Sequence, residues 1–195
     1  MDIYKALKKE KKSIKRFYIL MIILAILLPT TLWLTGIITK FYIIYVALLE
    51  ILILLAILKK RDYTKLEFSY KNNKLKFTNG LFSQTHTILC DKIAIVHTEG
   101  IEDYMKIILV SSAKLRNRRM KPISKNFLDK YPQISEEYIK IKKINSDEKY
   151  YFQIIKKGGL KKYPFLNEIF KYCVKAEFTD DCIENIKIAR GETLN

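Results

Sequence analysis

One carboxylate stands inside an otherwise uncharged run, Glu50 in FYIIYVALLEILILLAIL, residues 41 to 58. If that run lies in a bilayer, an ionised acid near its middle is costly. Glu50 is therefore a candidate proton or ion relay, or a helix-pairing contact. The plainer reading is a protonated Glu that hydrogen-bonds to Thr30, Thr31, Tyr45 or a second copy of the chain. No other acid or base lies within either apolar run to pass a proton on, and two helices offer little wall for a transport path.

Other candidate chemistry is sparse. His86 and Cys90 stand at i and i+4, on one face of a strand as metal ligands would be. On a strand they are about 13 Å apart, too far for one ion to bridge. The chain has no Gly-rich phosphate loop, HExxH, GxSxG or CxxC, and no acid at a spacing that would orient a Cys/His pair. The expectation is a protein that is not an enzyme, with no catalytic residue, metal or cofactor. Cys90, Cys173 and Cys182 are few and widely spaced, which suits buried thiols in a reducing compartment better than a disulfide framework.

Two basic tracts remain. KLRNRRMK, residues 114 to 121, carries Lys114, Arg116, Arg118, Arg119 and Lys121 in a loop. It fits anionic lipid headgroups, at about 1 kcal/mol per basic residue near a charged surface. A solvated loop is the plain alternative. RNA is disfavoured, because no aromatic residues interleave the charges for bases to stack on. KKGGLKK, residues 156 to 162, sets two glycines at a helix entrance. Its backbone amides could hold an anion, although a simple strand-to-helix turn also explains it.

The elements that position these residues begin with the apolar runs. Residues 17 to 38 contain no charge, enough to cross a hydrocarbon core of about 30 Å. A signal peptide has a shorter apolar stretch and a small-residue cleavage site, and neither is found here. Pro29 predicts a kink. With the second run at 41 to 58, the two form a helical hairpin whose turn is Thr35, Gly36, Thr39 and Lys40. Of the net charge of +16, residues 1 to 16 hold seven Lys/Arg against Asp2 and Glu10, and Lys59, Lys60 and Arg61 close the second run. Only Lys40 lies between the runs, so the positive-inside rule puts both termini in the cytoplasm of a multi-pass cell-membrane protein. The organisation is then a basic segment at 1 to 16, a hairpin at 17 to 61 and a folded domain at 62 to 195.

Past Arg61 the apolar period drops to two. Residues 64 to 79 predict a hairpin turning at KNN, 81 to 89 a third strand, 93 to 100 a fourth and 104 to 112 a fifth. Residues 124 to 131 predict one or two helical turns. Tyr138 to Ile144 and Tyr150 to Ile155 predict a second hairpin about NSDE, on their β-branched and aromatic content. Residues 163 to 175 then carry apolar residues at helical spacing, and 179 to 190 predict a second short helix.

Gly80, Leu81, Phe82, Leu89, Lys92, Ile93 and Val96 follow the order of a Gly-led turn and an apolar strand. With the anchor before them and a helix at the end, they make the chain resemble the bacterial PH-like membrane proteins. The resemblance covers residues 62 to 110 by motif. It implies an α+β chain in which the transmembrane hairpin precedes a PH-like antiparallel β-sandwich or barrel with a C-terminal capping helix. Ser83 and Gln84 stand where that family has basic or polar positions. The implied role is a membrane-anchored, non-enzymatic interaction or scaffold module at the inner membrane surface, with anionic headgroups, another membrane protein or itself as partner. The alternative is a regulatory subunit of a transport or secretion complex in which Glu50 acts in the membrane.

Overall fold

The computed structural model describes residues 3–36, 39–81, 83–114 and 119–192. The chain is a mixed α+β structure that starts with two long apolar helices, α1 (Ile3–Thr35) and α2 (Lys40–Thr64). Both are long and apolar enough to cross a membrane, and the rest of the chain leaves their apolar surface almost uncovered. α1 runs on through Pro29. Beyond the proline, the Thr30 and Thr31 hydroxyls donate back to carbonyls of the preceding turn, an internal use of polar groups that suits a helix without water around it.

Both helices outrun their apolar stretches. α1 begins fourteen residues before Phe17, the first residue of the uncharged run, and α2 extends to Thr64. The basic start of the chain is amphipathic: Ile3, Ala6, Leu7, Glu10 and Ile14 fall at helical spacing on one face. That face is used. Ile3 is 1% exposed inside the main core, and Ala6 and Leu7 pack beside it.

The strands are β1 (Leu66–Lys71), β2 (Lys74–Asn79), β3 (His86–Leu89), β4 (Ile93–Glu99), β5 (Lys106–Ser111), β6 (Lys121–Pro122), β7 (Tyr151–Ile155) and β8 (Glu177–Phe178). They form a three-stranded sheet β1-β2-β3 and a five-stranded sheet β6-β7-β5-β4-β8. Neighbours are antiparallel except β4 and β8. Asn72 and Asn73, both at positive φ, make the tight turn between β1 and β2 that the KNN tripeptide predicts. Among the described residues the sheets do not close into a barrel.

The helices after the hairpin are α3 (Lys125–Lys130), α4 (Pro132–Ile144), α5 (Lys162–Tyr172) and α6 (Asp180–Arg190). α5 and α6 share the main core with both sheets and the start of α1. Phe165 sets its ring 5.1 Å from Phe68 and 5.3 Å from Phe77. α3 and α4 cover the opposite face of the larger sheet through Phe127, Tyr131 and Ile134. β5 is thus buried on both faces, which is why KIILVS alternates so weakly.

Residues 138 to 144 correct the expectation of a strand. They are the second half of α4, where Pro132 occupies the first helical turn and Ile134, Tyr138 and Ile141 fall on one face against the second cluster. Tertiary burial of that face outweighs the β-branched content. The third strand is also shorter than the predicted 81 to 89. The three cysteines are free and buried, and Cys173 donates its thiol hydrogen to Cys90 Sγ across 83 residues of chain.

Since Ile3 belongs to the core, Ile3→Ala should destabilise the folded domain by about 2 kcal/mol or more, in the range of buried Ile truncations. The fall is read as a lower thermal midpoint of the detergent-solubilised full chain. An unchanged midpoint would mean that the start of α1 is not part of the fold.

Candidate functional site at the helix-domain junction

The residues singled out above do not converge. Glu50 lies in α2 with Oε1 shielded and without a hydrogen-bond partner, and the Thr30 and Thr31 hydroxyls donate within their own helix. Asp62, on the same helix, is about 18 Å along the axis from it. In the basic tract, Arg116 and Arg118 lie outside the described residues. Lys114 sets its ammonium 5.7 Å from the centre of the Tyr151 ring. Lys121 is exposed in β6, paired with Phe152. Arg119 turns the other way, with Nη1 donating to Asn79 O at 3.4 Å. His86 hydrogen-bonds with Ser83 through Nε2 and the Ser83 hydroxyl, 3.2 Å apart. Among the described residues no group of three His, Cys, Asp or Glu is placed to hold a metal ion.

What does converge is a polar joint where α1 and α2 meet the domain. Glu10, on the buried face of α1, accepts the Leu160 N–H at 3.3 Å through Oε1. One amide of KKGGLKK, that of Leu160, thus meets the chain's own carboxylate. Gly159, at φ +53, is packed so closely that a Cβ there would collide with that same oxygen. Gly158, at φ +123, would set a Cβ 2.8 Å from Leu66 Cβ, and it donates its N–H to Tyr63 O at 2.8 Å. Only glycine combines that conformation with that approach.

Asp62 makes the second fastening, from α2. Its Oδ1 accepts the Leu81 N–H at 2.8 Å, and Oδ2 pairs with Lys157 Nζ. The Lys157 ammonium holds the Asp62 carboxyl below the usual carboxylate range. Tyr63 donates its hydroxyl to Asp103 O at 2.9 Å, which ties α2 to the segment between β4 and β5.

Lys162 closes the joint from below. It is 0% exposed, and its ammonium donates to Asp103 O at 2.7 Å, to Met105 O and to Lys156 O at 3.3 Å. Burial lowers its pKa to about 8, against the opposing pull of Asp103 and Glu10. Burial likewise pushes the Glu10 carboxyl up, although the Leu160 amide pulls it down. Beside these groups a cavity of about 400 Å³ is lined by Lys9, Glu10, Ser13, Lys60 and Asp103, among others. Its acids and bases alternate in sign, and none of them forms a nucleophile–base pair.

Of these residues Lys162 belongs to the KKGGLKK tract, whereas Glu10, Asp62 and Asp103 are not among the sequence-predicted site residues. Signals for two of them were present: Glu10 is the one acid on the apolar face of a basic helix, and Asp62 directly follows Lys59, Lys60 and Arg61. Compared with protein-family models, with curated proteins and with solved structures, the chain matches none.

Two measurements check the joint. Gly159→Ala should destabilise the chain by about 1–3 kcal/mol, because it adds both backbone strain and a collision with Glu10. A neutral result would show that residue 159 does not hold the positive φ, because the Glu10 carboxylate ends a flexible side chain that can move aside. For Lys162, the unfolded chain keeps the ordinary lysine pKa of 10.5 and the folded chain has about 8. Between those values the unfolded state binds more protons, so this residue makes stability rise with pH, most clearly from 8 to 10, below the tyrosine range. Lys162→Met should remove that rise from a series of unfolding midpoints; an equal slope in the two proteins would contradict the assignment.

Proposed function

We propose that this chain is a membrane-anchored, non-enzymatic interaction or scaffold module of the PH-like kind, working at the inner membrane surface. The observation that carries this reading is the joint. Glu10 and Asp62 fasten the domain to the ends of both apolar helices, so one face of the domain is always presented to the bilayer. Arg119 belongs to that face, close enough to Asp62 to help lower its pKa. In this reading the basic tract with Lys114, Arg116, Arg118, Arg119 and Lys121 meets anionic headgroups, and nucleic acid needs no part in it. The excess of Lys and Arg before α1 and after the apolar run of α2 supports cytoplasmic termini. The PH-like assignment draws on the Gly80 turn, the strands that follow it and the helices closing the core at the C-terminal end. The open sheets and the α3–α4 layer depart from a single closed barrel.

A second reading rests on Glu50. Its unpartnered Oε1 favours a polar contact with another transmembrane helix, from a second copy or from a transport or secretion complex. Glu50→Gln would then lower self-association or co-purification of a membrane partner.

The test requires the full chain, because Ile3, Ala6 and Leu7 belong to the core that residues 62 to 195 would otherwise have to close alone. In nanodiscs of phosphatidylglycerol, amides of residues 113 to 122 should exchange more slowly than in phosphatidylcholine. The difference should vanish at about 1 M salt, where the Debye length is about 3 Å, and in a variant with all five basic residues changed to Gln. Equal exchange in the two lipids would reject the headgroup-contact reading.

A further inference from the structure

A cleft of about 510 Å³ opens where the two apolar helices leave their uncharged stretches. Its walls change character along the helix axes. Phe17 and Ala56, from the ends of the two uncharged runs, line one end. Lys59 and Lys60 stand one turn further on, and the Asp62–Lys157 pair with Tyr63 closes the side toward the domain. Most of the surface is hydrocarbon, including the lysine stems, while the ammonium groups sit beyond it. Lys157 already has Asp62 as counter-ion and Lys60, half-buried, also lines the cavity beside Glu10, whereas Lys59 is exposed.

We infer that this cleft is a binding site for one anionic glycerophospholipid, its phosphate between Lys59 and Lys60 and the first carbons of its acyl chains against Phe17 and Ala56. The inference rests on the reading of α1 and α2 as a membrane hairpin beside an anionic leaflet. Charge and depth select the ligand. An apolar floor at the level of the acyl chains beneath two cations at the level of the phosphates matches a lipid, whereas a soluble anion would leave the floor unused. The position adds a consequence, because the ligand would touch both helices and Asp62, the residue that fastens α2 to the domain.

Native mass spectrometry of the full chain, titrated with phosphatidylglycerol, phosphatidylcholine or inorganic phosphate, tests this. One phosphatidylglycerol should be retained at concentrations that retain no phosphatidylcholine. Lys59→Gln with Lys60→Gln should weaken retention about 30-fold, from two cations near the surface. Ala56→Leu, which narrows the apolar end of the cleft and leaves the charge unchanged, should weaken it as well. Wild-type retention in Ala56→Leu would reduce the effect to diffuse attraction by helix-end lysines and overturn the site. Equal binding of phosphatidylcholine would also overturn it, as would displacement of the lipid by millimolar phosphate. Loss of loop exchange protection with the single lipid still retained rejects the proposed loop contact alone. Protection without a retained lipid rejects this site alone.

Discussion

The carboxylate of Glu10 has left bulk water to accept a single backbone amide, and burial raises its pKa accordingly. A half-buried acid with one neutral donor contributes little stability by itself. It is held there because the helix that carries it is seated by Ile3, Ala6 and Leu7 in the same core that holds both sheets, α5 and α6. Full burial of one Ile side chain is worth about 1.5–3 kcal/mol, enough to carry a desolvated neighbour. α1 is therefore one element with two solvents. Its first turns belong to the domain, and its later turns belong to the apolar hairpin. Without that seat, a basic segment would trail from the membrane and the domain would hang from α2 alone.

What the sequence made legible follows from how local each signal is. The two apolar runs, the β1–β2 hairpin about KNN and the apolar strands β4 and β5 each rest on periodicity within ten to twenty residues, and each element stands where that periodicity put it. Residues 138 to 144 went the other way. Their Ile and Tyr content reads as strand, yet the spacing of Ile134, Tyr138 and Ile141 fits a helix as well. The choice is made by the sheet face under Phe127 and Tyr131, which no local window contains. The start of α1 was obscured differently. Seven basic residues suggested a solvated segment, while Ile3, Ala6, Leu7 and Glu10 at helical spacing lay beneath that charge. The candidate site was legible only in its outer parts. Glu10 meets Leu160 across 150 residues, and Asp62 meets Lys157 across 95. No spacing rule reaches so far.

The joint is polar where it might have been apolar, and its location gives the reason. It lies beside the charged ends of two long apolar helices, where an apolar contact would have no fixed register. Directional bonds supply that register. The Leu160 amide fixes the rotation of α1 about its own axis, and the Leu81 amide does the same for α2. A Cβ at Gly80 would crowd Asp62 Oδ1 and one at Gly159 would crowd Glu10 Oε1, so neither acceptor has spare room on that side. Buried polar contacts of this kind are better at specifying a geometry than at stabilising it. Here the geometry specified is the angle between a hairpin and a domain. Holding the domain at a set angle to the two apolar helices is a physical property that these residues are well arranged to produce.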